Sequence, residues 1–227
     1  MNEEKIREAV GWLHKEIWEG KELLWPDRQP TPIQMLLPEV AAHILGFDYD
    51  ELPNLGSPRF SRQKYRAVGI LNRPANRIAV SLEYPAHVRR FTGAHEVGHC
   101  MLHDDEVMHR DMPLDGTPKS GHPPKEREAN YFAACFLIPA RLLAQAFTAQ
   151  FGFKGPFPFN DTTCYHLNPT DPWSLLEAED DSLDREIALA RCARFNNRSL
   201  IPLAVQFGVS DVAMAIRIKE LKLVQWP

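Results

Sequence analysis

Phe91-Thr-Gly-Ala-His-Glu-Val-Gly-His-Cys-Met-Leu-His103 is the stretch on which the reading of this chain turns. His95 and His99 stand four residues apart, so on a helix they share a face, one turn from each other. Two imidazoles placed this way can grip one metal ion from the same side. Glu96, next to the first of them, points toward the coordination position left open. That arrangement suits a zinc ion and a general base acting on a zinc-bound water. A chance match on a polar helix is the alternative, and it is rare even in a chain with 9 His among 227 residues.

A catalytic zinc needs a third protein ligand and keeps its fourth position for water. His103 continues the i, i+4 series but lies eight residues from His95, roughly 12 Å along a straight helix. Zinc–nitrogen bonds of about 2 Å cannot bridge that span, so His103 is expected to support a ligand rather than be one. Glu126-Arg-Glu-Ala-Asn-Tyr-Phe-Ala-Ala-Cys-Phe-Leu-Ile138 reads as a second helix, entered after Pro123-Pro124 and stopped by Pro139. Ala129, Phe132, Ala133, Phe136 and Leu137 form its apolar stripe. Glu126 and Asn130 share a face, while Glu128 points about 200° away from Glu126. Glu126 is preferred as the third ligand over Glu128 and over a merely solvated acid at a helix N-terminus. Asn130 then supports the site from the next turn, orienting a ligand His. Cys100 lies about 100° round the helix from His99 and is not counted as a ligand.

His95-Glu-Val-Gly-His99 followed by Glu126-Arg-Glu-Ala-Asn-Tyr-Phe-Ala-Ala-Cys-Phe-Leu-Ile-Pro139 resembles the ImmA/IrrE family of zinc metallopeptidases. The lead-in Arg90-Phe91-Thr92-Gly93-Ala94 is also similar. The resemblance covers residues 66 to about 143, with a second stretch of similar type over 201–223. It implies a gluzincin-like fold and ligation by the first Glu, here Glu126. It further implies a helix-turn-helix repressor as substrate, cut to relieve transcription. Cys100 departs from the family's usual aliphatic residue, and residues 151–172 have no recognised counterpart.

Elsewhere the sequence is that of an ordinary globular protein, 44% apolar and 25% charged. The net charge of −4 argues against a dedicated nucleic-acid binder. No apolar run reaches membrane-spanning length, and the charged N-terminus lacks a signal core, so a cytoplasmic protein with no membrane association is expected. Cys100, Cys135, Cys164 and Cys192 are widely spaced and read as free thiols.

Four regions are expected: an N-terminal helical region at 1–62, a zinc peptidase core at 63–150, an irregular linker or groove region at 151–183, and a helix-turn-helix-like segment at 184–227. Residues 2–25 read as one amphipathic helix, with Trp12, Trp18 and Trp25 adding packed bulk. Residues 38–45 read as a helix capped by Gly46, and 47–62 as irregular. Strands are expected at 66–71 and 77–82, joined as a hairpin. The edge strand beside the metal helix is either open to an extended substrate or merely supportive. Residues 104–125, with His109 and His122, read as a long loop.

Residues 151–172 show no period and read as a loop packed on the core. Tyr165 and His166 within it are the candidates for polarising a scissile carbonyl. Asp171-Pro172 looks like a helix start, and 184–195 like another helix. Residues 201–221 fit a short helix, a turn at Gly208, a Ser210 N-cap and a second helix carrying outward Arg217, Lys219 and Lys222. Packing is preferred to DNA binding for this segment, because basic residues are few.

These readings converge on an α+β fold: a zincin-like metallopeptidase core, with a small antiparallel sheet on the metal-bearing helix, followed by the C-terminal helices. The expected activity is zinc-dependent endoproteolysis, with manganese or iron as other metals the donors suit. His95, His99 and Glu126 are the ligands and Glu96 the base. A non-proteolytic regulator, binding DNA or a partner protein through the C-terminal helices, is the alternative.

Overall fold

The computed structural model describes residues 1–56, 67–104 and 123–225, together with the backbone of 59–60, 63–64 and 109–111. Arg66, His122 and the His109 side chain, which figure in the sequence reading, lie outside the described residues. Two compact units are formed, Met1–Leu137 and Ile138–Pro227.

The first unit opens with α1 (Glu3–Glu19), whose N-terminus is capped by Asn2 accepting from the Lys5 amide at 3.1 Å. Ile6, Val10, Leu13 and Ile17 recur at helical spacing and are all buried. Each contributes about 1.5–3 kcal/mol of apolar burial. The expected single helix breaks at Gly20, and α2 (Lys21–Leu24) follows. Trp25 is buried as expected, but Trp12 and Trp18 remain 45% and 50% exposed. The Lys21 ammonium sits 3.7 Å above the Trp18 ring instead. After α3 (Pro38–Ile44), Gly46 takes a φ of +79°, the left-handed conformation of a helix terminator.

Next come β1 (Asp48–Leu52), the small pair β2 (Arg59–Phe60) and β3 (Gln63–Lys64), then β4 (Gly69–Asn72) and β5 (Arg77–Ser81). They lead into α4 (Ala86–Leu102), β6 (His109–Asp111) and α5 (Pro124–Leu137). The β4–β5 hairpin is antiparallel, as the sequence predicts. The sheet order is β1-β5-β4-β6, and β1 runs parallel to β5 from Asp48↔Arg77 to Leu52↔Ser81. Two expectations are therefore corrected. Residues 48–52 form a strand rather than irregular chain, and the sheet is mixed rather than purely antiparallel. β4 is also no open edge, since Gly69–Leu71 pair with β6 as well as β5. Val68, Leu71, Ile78 and Val80 are fully buried beside α4, which packs on this sheet and on α5.

The second unit comprises α6 (Ala140–Phe151), β7 (Phe157–Pro158), α7 (Asp161–Leu167), α8 (Trp173–Leu176) and α9 (Asp184–Ala190). It ends with β8 (Arg194–Phe195), β9 (Arg198–Ser199), α10 (Leu203–Phe207), α11 (Asp211–Glu220) and β10 (Val224–Gln225). Phe157 is fully buried, with the rings of Phe153, Phe159 and Phe151 centred 5.0, 5.2 and 5.4 Å away. Residues 151–172 are not a plain loop, because they contain α7. Asn160 caps that helix reciprocally with Thr163, through two hydrogen bonds of 3.0 Å. Asp171 accepts from the Ser174 amide at 3.2 Å, as its reading as a helix start requires.

The helix expected over 184–195 stops at Ala190, and Asn196 and Asn197, with φ of +48° and +61°, turn the chain between β8 and β9. α10, Gly208 at φ +64°, a Ser210 cap and α11 follow the expected helix-turn-helix pattern. Arg217 and Lys219 do not face outward, however. The buried Arg217 donates to the Ile138 carbonyl at 3.1 Å and to Glu220 at 2.9 Å. Lys219 donates to the carbonyls of Asp180 and Ser182 at 2.9 and 2.8 Å. Lys222 is exposed. Among the described residues, no single helix is long and apolar enough to cross a membrane.

Candidate metal centre

α4 enters its buried stretch at Phe91 and keeps every residue from there to His99 out of solvent. Small residues permit this. A Cβ on Gly98 would lie 3.1 Å from Phe132 and 3.2 Å from the Ala129 backbone, so α5 crosses α4 in close contact there. One on Gly93 would collide with the Tyr49 hydroxyl, and one on Gly69 with Glu96 Oε1 and Thr92 Cγ2. Strand β4 thus lies directly against the Glu96 carboxylate, and only a glycine leaves it room.

The crossing brings three sequence-predicted ligands together. His95 Nε2 and His99 Nε2 are 3.0 Å apart. Glu126 Oε2 is 3.2 Å from the first and Oε1 is 3.4 Å from the second. Two donors bound tetrahedrally about 2.1 Å from one zinc ion would be roughly 3.4 Å apart. The observed separations suit a common ion, and these three residues form a metal-capable cluster among the described residues. Burial alone would raise the Glu126 pKa. The facing His95 and His99 rings outweigh it and hold this carboxyl well below the usual range.

The supporting residues fall on two sides. Asn130 Oδ1 is 2.9 Å from His95 Nδ1, within hydrogen-bond reach of that ring. His103 Nδ1 is 2.9 Å from His99 Nδ1, and His103 Nε2 is 3.2 Å from Glu128 Oε2. α4 ends at Leu102, and His103 is already extended at φ −130°, ψ 140°. Its ring folds back on His99 instead of continuing along the helix axis.

Arg73, which lies between the two strands of the expected hairpin, has a structural task that sequence reasoning missed. Its guanidinium Nη2 donates to the His99 and Cys100 carbonyls at 2.6 and 3.1 Å, and also to that of His103. It thereby gathers carbonyls at the C-terminal end of α4, of which that of His99 also accepts from the His103 amide at 3.2 Å. The only signal in the sequence was a cation in the turn between two strands. Cys100 stays outside the cluster, and burial pushes its thiol up to about 12. Tyr165 and His166 are not members of the cluster either. They lie on α7 in the second unit, Tyr165 is 57% exposed, and the His166 ring is centred 5.6 Å from Phe195.

A His pair on one helix, a Glu from the next and a small sheet behind them define a metallopeptidase-type core. Residues 54–155 match the Peptidase_M78 family model, the IrrE N-terminal-like domain. No curated protein matches the chain.

Proposed function

We propose that the chain is a metal-dependent endopeptidase of the cytoplasm that cuts one protein, a helix-turn-helix transcriptional repressor, and so relieves repression. The observation that carries the enzymatic part is the convergence of His95, His99 and Glu126 beside the buried Glu96. Zinc, manganese or iron held by those three would polarise a scissile carbonyl and acidify a water. Glu96 takes the proton of the attacking water and returns it to the leaving amine. Asn130 and His103 hold the two imidazoles from behind. Tyr165 and His166 remain candidates for stabilising charge on the carbonyl oxygen, by residue type alone.

Since β4 carries a strand on both sides, the choice of substrate rests on the family resemblance and on linker chemistry. A dimeric repressor joins its DNA-binding and dimerisation regions by an exposed linker. One cut there leaves products that bind paired half-sites far more weakly. The alternative is a non-proteolytic regulator acting on DNA or a partner protein through the C-terminal helices. The inward anchoring of Arg217 and Lys219 speaks for a packing role of α11 instead, and such a regulator has no use for Glu96.

The test incubates the chain with zinc or manganese and the helix-turn-helix repressor encoded beside it, and reads product masses. A single cut between domains is expected. Glu96→Gln should keep the metal and lose about 10²–10⁴-fold in rate. Digestion of unfolded casein with the repressor left intact would overturn the substrate assignment in favour of a general peptidase.

A further inference from the structure

Glu128 was set aside at the sequence level because it points away from Glu126, yet it ends a hydrogen-bonded chain that begins at a ligand. An ionised carboxylate only accepts hydrogen bonds, so the proton between Glu128 and His103 belongs to His103 Nε2. A His99 that ligates through Nε2 carries its proton on Nδ1, so His103 Nδ1 must be the acceptor. The proton between the two Nδ1 atoms, 2.9 Å apart, accordingly belongs to His99. His99 Nε2 is left bare, and it is the atom that faces His95 Nε2 and Glu126. The tautomer of the ligand is thus dictated from a carboxylate two hydrogen bonds away. His103 is buried, and Arg73 holds its carbonyl, so the middle of the chain has little freedom. His95 is backed differently, by the neutral amide of Asn130.

We infer that Glu128 is a positioning residue that acts through His103 to set the tautomer and ring orientation of His99 toward the ion. The inference rests on the metal reading above. It divides the two Glu residues of Glu126-Arg-Glu128 between direct ligation and remote support of a different ligand. It also makes the two imidazoles unequal, one backed by a charge-terminated relay and the other by an amide.

The test measures zinc affinity of the full chain by competition with a chromophoric chelator, with circular dichroism to check folding. Glu128→Ala should weaken zinc about tenfold, and Glu128→Gln, whose amide oxygen still accepts from His103, should recover part of the loss. In a His103→Phe background, Glu128→Ala should have no further effect, because its route to His99 through His103 is gone. Asn130→Ala should keep its full effect in that background, since it serves the other imidazole. If His103→Phe does not fold, His103→Gln takes its place. Equal losses from Glu128→Ala with and without His103, or no loss at all, would overturn the relay. A wild-type chain that binds neither zinc nor cobalt would overturn the metal reading itself, a result readily told apart from an additive cycle.

Discussion

At the crossing of α4 and α5, the first unit buries His95, Glu96, His99 and His103. Around Phe157, the second unit buries a knot of phenylalanine rings from α6, β7 and β8. The first region depends on closeness. Glycines at 69, 93 and 98 let backbone come within reach of side chains, and polar atoms are held by one another. The second depends on bulk. Both carboxylate oxygens of buried Glu186 lack a hydrogen-bond partner among the described residues. Imidazoles and carboxylates gathered face to face at one helix crossing mark a place arranged for chemistry, whereas a buried carboxylate outside such a cluster is a cost the surrounding core absorbs.

The sharpest way to break the comparison is to remove bulk from the second region. Phe157→Ala should lower stability by about 3–5 kcal/mol in chemical denaturation, because the ring is buried among other aromatics that cannot all close the gap. In the first region the damaging change is an addition. Gly69→Ala should cost about 1–3 kcal/mol and displace the Glu96 carboxylate. A crystal structure of that variant with Glu96 unmoved would contradict the close-approach argument. Arg73→Ala should cost about 1–2 kcal/mol through the uncapped carbonyls of α4. Amide exchange should quicken at the C-terminal end of that helix before anywhere else.

The smallest effect concerns Glu186, which burial holds above the usual carboxylate range, the more so for the neighbouring Asp184, while Lys219 and Arg185 pull it back. Its folded pKa exceeds its unfolded one. Stability is therefore favoured at pH below the unfolded value near about 4.3 and lost as pH rises through the folded value. Glu186→Met should be more stable than wild type by about 1 kcal/mol at pH 8. That advantage should shrink as pH falls through the raised value. A difference that stays constant with pH would mean that Glu186 finds a partner in solution.

The two regions also differed in how far they could be read in advance. His95, Glu96, His99, Glu126 and Asn130 were legible because helical periodicity and metal-donor spacing are both short-range rules. What α4 and α5 do to each other follows from those rules plus two small residues. β1 was missed because Asp-Tyr-Asp-Glu-Leu has no apolar alternation, and a parallel pairing with β5 supplies what the pattern lacks. Arg217 and Lys219 were misread because their partners are carbonyls at positions 138, 180 and 182, far off in sequence. Glu128 was judged by its angle to Glu126, and its true neighbour, His103, comes within reach only because α4 ends one residue earlier. The helix expected over 184–195 overran β8, although Asn196-Asn197 just beyond it is readable as turn chemistry.

Gly98 sits beside one ligand, and Ala129, which it touches, lies three residues past another. The gap between the two helices therefore acts as a gauge block for the donor triangle. A methyl group at position 98 would press on Phe132 and the Ala129 backbone, and the slight give this asks of α5 would shift Glu126 against both imidazoles without altering a single donor atom. The ionic radius that the three donors accommodate is in this sense machined by a residue with no side chain, and anyone retuning the chain toward a larger ion would begin there.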